Sequence, residues 1–304
     1  MHVQEGTIES DGAAIHYLDW GGDGPPLILI HATGFMASLW RPIAQLLAGR
    51  FRVVAVDQRG HGDSDKPPDG YRFEAFAGDL HRVIEELELE APLAAGHSSG
   101  GTTIVMHAAR HPGVIQRTVL IEPILPRPEW LAQPPAGAPQ GENRTPNSMA
   151  DGARKRRAVW PNTEELFQSY RSKPAFETWR EDVLRLYVEE GTRERDDGQV
   201  ELKCPPEIEA QFFDAVRYVD PWPSLEQLSC PTLLMWGGGS HLQHFGMAER
   251  IEEAIPNART TSVPDTSHFL PQERPDEVAR LMLEFLSDGS TELAEDGSTE
   301  LAED

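Results

Sequence analysis

Hydrophobic and polar positions along the chain fall into two rhythms. Val3–Ile8 and Ala14–Asp19 alternate with period two and are parted by Ser10-Asp11-Gly12, which predicts an antiparallel hairpin. From Leu27 onward the apolar runs are short and continuous, at Leu27–Ile30, Arg52–Val56, Pro92–Gly96, Val114–Glu122, Pro231–Trp236 and Thr260–Val263. Continuous runs of this length belong to strands buried on both faces. Between them lie stretches with helical spacing, at Leu39–Leu47, Phe73–Leu87, Ser99–Ala109, Phe245–Ile255 and Pro275–Leu286. Buried strands alternating with helices predict an α/β fold with a doubly wound, mostly parallel sheet.

The rhythm breaks between Pro123 and Ser229. This stretch opens with a Pro/Gly-rich segment, Pro126–Pro146, and continues with helical spacing at Ser148–Arg157, Glu164–Tyr170, Trp179–Gly191 and Pro206–Val216. Trp160, Phe167, Trp179, Phe212 and Phe213 need burial, so the stretch reads as an inserted helical cap with an entry loop rather than a linker. The domain reading is a core formed by 1–124 and 229–286, a cap over 125–228, and a tail over 287–304. In the tail the octamer GSTELAED occurs twice in succession, and with Asp288 it carries seven acidic groups and no basic one. With only two leucines it has nothing to bury and is expected to be solvated.

Charge narrows the partners. A net charge of −23 disfavours nucleic acid and anionic membrane and repels anionic substrates, leaving a small-molecule substrate as the expected partner. No apolar run approaches the roughly 20 residues of a membrane span. The opening Met1-His2-Val3-Gln4-Glu5 lacks the basic and apolar regions of a signal peptide. Cys204 and Cys230 show no metal or redox spacing and read as free thiols of a reducing compartment, so a cytoplasmic location is expected. No metal and no cofactor are expected; His241 and His244 form a pair with no evident third ligand.

The chemistry is concentrated in Gly96-His97-Ser98-Ser99-Gly100, which follows a buried strand and opens a helix. This is the context of a nucleophile elbow, with Ser98 raised on a strained turn. The helix N-terminus favours negative charge developing beside it. A serine hydroxyl needs a base. His268, in Val263-Pro264-Asp265-Thr266-Ser267-His268-Phe269, follows the last strand and emerges on the face that carries Ser98.

Two further segments, Leu29-Ile30-His31-Ala32-Thr33-Gly34-Phe35 and Asp57-Gln58-Arg59-Gly60-His61-Gly62-Asp63-Ser64, each follow a buried strand. With the elbow and His268 in this order, the chain resembles the α/β-hydrolase superfamily from about Ile8 to Leu286. The resemblance implies a serine hydrolase working through an acyl-enzyme on Ser98, with the amides of Thr33 and Ser99 as oxyanion hole. It also implies that Asp57, Arg59 and His61 brace their loop. His31, His97, Ser240 and His241 are candidate pocket residues. The family's usual His-Gly is here His31-Ala32.

The family's acid, an aspartate after the strand Pro231–Trp236, is missing, for Ser240 occupies that position. Glu122, at the end of Val114–Glu122, resembles the migrated acid of some hydrolases, including certain haloalkane dehalogenases. It is the assigned partner of His268, with Asp220 and Asp265 as alternatives. A serine nucleophile argues against dehalogenase and epoxide hydrolase chemistry, which needs a carboxylate there. The expected substrate is a carboxylic ester of small to medium, mostly apolar character, with lactone and amide cleavage also open. Two other readings stand beside it. One is carbon–carbon bond hydrolysis of a diketone, separable by product analysis. The other is a ligand-binding protein with little turnover, against which rapid phosphonate labelling of Ser98 would count. Nothing in the sequence sets the oligomeric state.

Overall fold

The computed structural model describes residues 3–126, 148–240, 247–255 and 257–287. The expectations for the tail, for Pro126–Pro146 beyond its first residue, and for His241 and His244 lie outside these residues.

Eight strands form one sheet. They are β1 (Gln4–Ser10), β2 (Ala13–Asp19), β3 (Pro26–Ile30), β4 (Arg52–Val56), β5 (Leu93–His97), β6 (Arg117–Ile121), β10 (Thr232–Gly237) and β11 (Ala258–Val263), in spatial order β1-β2-β4-β3-β5-β6-β10-β11. The β1–β2 hairpin adds antiparallel to β4, and the six strands from β4 to β11 are parallel. The continuous apolar runs follow from this arrangement. Alternate residues of each strand enter two separate cores: Leu27, Leu29, Ala95 and Ile121 pack on one face, and Ile28, Ile30, Ala94 and Leu120 on the other. The first face is covered by α1 (Arg41–Leu47) and α10 (Pro275–Ser287), the second by α2 (Phe73–Glu86), α3 (Ser99–Arg110) and α9 (Met247–Ala254).

Chain order reverses at β3. From there the sheet grows to β4 on one side and through β5, β6, β10 and β11 on the other. Outside the carboxyl ends at such a reversal lies the natural crevice of an open α/β sheet. Segments following β3 and β5 meet there, and these carry Thr33 and Ser98.

Between β6 and β10 the described chain forms α4 (Ser148–Arg154), β7 (Val159–Trp160), α5 (Thr163–Arg171), α6 (Glu181–Glu190), β8 (Thr192–Glu194), β9 (Val200–Leu202), α7 (Pro206–Ala215) and α8 (Trp222–Leu225). The purely helical expectation needs correction, because β7, β9 and β8 pair into a small antiparallel sheet. Strands of two or three residues are too short to show a period. The segment's apolar face (Trp160, Leu166, Phe167, Tyr170, Trp179, Tyr187) forms one cluster with Phe35 and Met36, directly beyond β3.

Candidate active site

Ser98 sits between β5 and α3 with φ 55° and ψ −115°, a left-handed backbone that costs a non-glycine residue about 1–3 kcal/mol. Neighbouring glycines make this turn possible. A Cβ on Gly100 would lie 2.3 Å from the Ile30 carbonyl oxygen, and one on Gly96 would lie 2.5 Å from the Gly100 carbonyl. Only hydrogen fits at either place, so the chain after β5 can press against the end of β3.

The sheet ladder continues past the strands and sets the levels of the site. Ser98 N–H donates to the Ile121 carbonyl at 2.8 Å, and Glu122 N–H donates to the Met235 carbonyl at 2.9 Å. Ser98 and Glu122 therefore leave adjacent strands at the same height. Glu122 also has a positive φ, 47°, and its side chain is 2% exposed. Its carboxylate is fully engaged. Oε1 accepts from the Gly237 amide at 2.8 Å, and Oε2 accepts from Ser240 Oγ at 2.8 Å and faces His268 Nδ1 at 3.2 Å. The structure thus brings Glu122 to His268. Asp220 instead accepts from the Trp222 amide in a local turn, and Asp265 is exposed.

The loop carrying His268 is fastened at both sides. Gly238 and Gly239 N–H donate to the carbonyls of Val263 and Thr266, each at 2.8 Å. His97 Nε2–H donates to the His268 carbonyl at 2.8 Å, tying the histidine to the residue preceding Ser98. The His97 and His268 rings lie 5.1 Å apart. In this conformation the Ser98 hydroxyl makes no hydrogen bond to the His268 ring. Among the described residues His97 Nδ1 is buried without a partner, and burial, with His268 beside it, holds this ring far below the usual imidazole range and so neutral.

The segment after β3 is braced from below. His31 Nδ1–H donates to the Ala32 carbonyl at 2.7 Å, and Nε2 accepts from the Gln58 amide at 3.0 Å. Burial lowers its pKa further than the charge of Asp57 raises it. Both nitrogens are spent on backbone, so His31 shapes the loop rather than lining a pocket, a correction to the sequence reading. Gln58 Nε2 returns to the His31 carbonyl at 2.8 Å. His61 Nε2 accepts from the Gly34 amide at 2.9 Å; burial keeps this ring neutral and therefore able to accept. Asp57 accepts from the amides of Ala37 (2.6 Å) and Asp63 (3.0 Å) and from His16 Nδ1 (2.8 Å). Burial alone would raise its pKa, but His16, His31 and these amides together hold it below the carboxylate norm. Arg59 makes a two-pronged pair with Asp79 at 2.6 and 2.7 Å. Among the described residues the amides of Thr33 and Ser99 have no protein acceptor, and Thr33 Oγ1 is buried without a partner.

Ser240 is buried and spends its hydroxyl on Glu122, so it braces the acid rather than contacting solvent. Sequence reasoning did not single out Arg156. Its guanidinium pairs with Glu209 and donates to Tyr170 Oη at 2.6 Å and Tyr187 Oη at 3.4 Å, while Tyr187 donates to the Gly34 carbonyl at 3.0 Å. The network ties the inserted segment to the loop after β3. Its only sequence signal is a cluster of basic residues, Arg154–Arg157. Above the site Phe35 packs edge-on against Trp179 and Tyr187, and Phe269 stands 5.4 Å from Trp179.

A family model described as alpha/beta hydrolase fold matches residues 25–275. The chain is 27% identical to a non-heme chloroperoxidase of Kitasatospora aureofaciens over 91% of its own length and 97% of that protein. Its fold superposes on the crystal structure of E-2-(acetamidomethylene)succinate hydrolase with a TM-score of 0.78 at 21% identity, covering 94% of this chain and all of that one. It also superposes on an enol-lactonase from Burkholderia xenovorans with a TM-score of 0.71 at 25% identity, covering 93% and 100%. Among the described residues no helix is long and apolar enough to cross a membrane.

Proposed function

The chain belongs to the α/β-hydrolase family, and from that premise we propose that it is a serine hydrolase cleaving carboxylic esters of small to medium, mostly apolar molecules. The observation that carries the reading is Glu122 Oε2 facing His268 Nδ1 beside a serine held in an elbow turn. Glu122 keeps the proton of His268 on Nδ1, which leaves Nε2 free to take the proton of Ser98. Ser98 Oγ then attacks the ester carbonyl, and the oxyanion is received by the amides of Thr33 and Ser99, each donor worth about 10²–10³ in rate. His268 returns the proton to the leaving alcohol, and water releases the acyl group by the same route.

The open Ser98–His268 geometry suits a resting enzyme, since such hydrogen bonds tighten when substrate fills the site. The inserted segment 148–228 acts as the lid in this reading. The aromatic wall of Phe35, Trp179, Tyr187 and Phe269 favours apolar substrates.

Relatives named for peroxidase activity do not require a different site. Hydrogen peroxide can replace water as the acceptor of the acyl group from the same serine. The test is a panel of p-nitrophenyl esters of increasing chain length, run with and without peroxide on wild type and Ser98→Ala. Turnover by wild type and none by Ser98→Ala is the expected result. Inactivity of wild type on every ester would rule out acyl transfer to simple esters.

A further inference from the structure

Away from the site, three histidines converge on the outer side of the sheet. His107 and His111 lie four residues apart on the last turn and the cap of α3, and His81 and Glu85 lie four residues apart on α2. Each pair shares one helix face, and the two helices pack together. One nitrogen from each histidine lies within 4.8 Å of the other two, and His107 Nε2 is 3.4 Å from His81 Nδ1. The rings crowd closely, with His81 stacked on His111 at 3.6 Å between centroids.

We propose that His81, His107 and His111 form a binding site for one divalent transition metal of zinc type, clipping α2 to α3. Two arguments support it. First, geometry: zinc–imidazole bonds of about 2.0–2.1 Å place tetrahedral ligand atoms about 3.4 Å apart, and the His81–His107 pair already has that separation. Rotation of the partly exposed His111 ring closes the remainder. Second, the surroundings: His81 Nε2 is 3.6 Å from Glu85 Oε1, the outer carboxylate that commonly orients a ligating histidine. A surface cavity of about 300 Å³ reaches His81 on the side of Glu85, between Asp79 and Arg82. Among the described residues His107 Nδ1 is buried without a hydrogen-bond partner, and Nε2 bonds only His81 Nδ1, the contact that a shared ion would replace.

His107 lies eight residues beyond Ser99, about 12 Å along the helix, so the metal acts on the scaffold and not on the reaction. A second cluster, His16, Asp57 and Asp63, is a weaker candidate because the Asp57 oxygens are already occupied by two amides and His16.

The test uses the full chain without a histidine tag, stripped with chelator and dialysed against Zn²⁺. Metal content is measured with thermal unfolding and far-UV circular dichroism. The expected result is one zinc per chain and a melting temperature several degrees higher with zinc. Both effects should be lost in His81→Asn and in His111→Asn, whose circular dichroism stays that of wild type. Both should be kept in His16→Asn and in the double variant His241→Asn/His244→Asn. Absence of zinc from wild type would overturn the assignment, as would one zinc per chain in both His81→Asn and His111→Asn.

Discussion

Replacing Glu122 by glutamine changes one atom and one charge, and its consequence can be worked out from the donors around the carboxylate. Oε1 faces the Gly237 N–H, a backbone donor that cannot turn away, whereas Oε2 faces the Ser240 hydroxyl and His268 Nδ1. The glutamine must keep its carbonyl oxygen on Gly237, so its NH₂ takes the Oε2 position. Ser240 adapts by rotating its hydroxyl into an acceptor. His268 adapts by moving its proton to Nε2, so that Nδ1 accepts from the new amide. Nε2 can then no longer take the proton of Ser98, and the imidazolium loses its counter-charge. An amide in the equivalent role of a serine protease lowers kcat by about 10⁴, and a loss of that order is expected here. The fold should persist, because the Gly237 amide keeps its acceptor and the new NH₂ meets two acceptors. The assay is kcat on the best p-nitrophenyl ester, with circular dichroism and thermal unfolding in parallel. A rate within about tenfold of wild type in a folded Glu122→Gln protein would refute the reasoning. Ser240→Ala separates bracing from charge: it removes one donor to Oε2, keeps the carboxylate, and should cost no more than about tenfold.

Gly100→Ala should abolish turnover and lower the yield of folded protein, since the new Cβ would meet the Ile30 carbonyl at 2.3 Å; near-normal kcat would show that this backbone can yield. Glu209→Gln should lower stability by about 1–3 kcal/mol by removing the counter-charge of the partly buried Arg156 cation, and Arg156→Met in the same chain should recover much of it, as read by urea denaturation of the single and double variants; equal stability of Glu209→Gln and wild type would contradict the pairing. Stability should fall as pH drops below 6.5. His31, His61, His97 and His107 have folded pKa values below that of the unfolded chain, so the unfolded state binds protons first, each such histidine costing on the order of 1 kcal/mol per pH unit. His16, raised in the folded state, works in the opposite sense, contributing below pH 6.5 and losing that contribution as pH rises through its folded pKa. A urea midpoint unchanged between pH 7.5 and 5.5 would contradict this balance.

What could be read in the sequence follows from the range of the interactions involved. The parallel strands were legible because burial on both faces leaves continuous apolar runs, and the elbow because its glycines and serine are adjacent. Glu122 was legible through strand order, since the ladder that sets its height is regular. Its contacts were not. Ser240 and Gly237 reach it across 118 and 115 residues, and no local pattern announces such a meeting. His31 illustrates the opposite error. Its position in the family motif suggests a pocket, but the pairing of β3 with β4 places Gln58 beneath it and turns the ring inward. The sheet of β7, β9 and β8 escaped because its strands are shorter than any period. Arg156 and Glu209 escaped because they lie 53 residues apart in a segment without a motif.

The central claim is that Ser98 is a nucleophile activated by a Glu122–His268 pair. The most direct measurement is labelling with an activated alkyl phosphonate, followed by intact-mass analysis and peptide mapping of wild type, His268→Ala and Glu122→Gln. The account predicts one adduct per wild-type chain, on the peptide that contains Ser98, with labelling slowed by orders of magnitude in both variants. No adduct on wild type, or an adduct on Ser98 that forms equally fast in all three proteins, would contradict it.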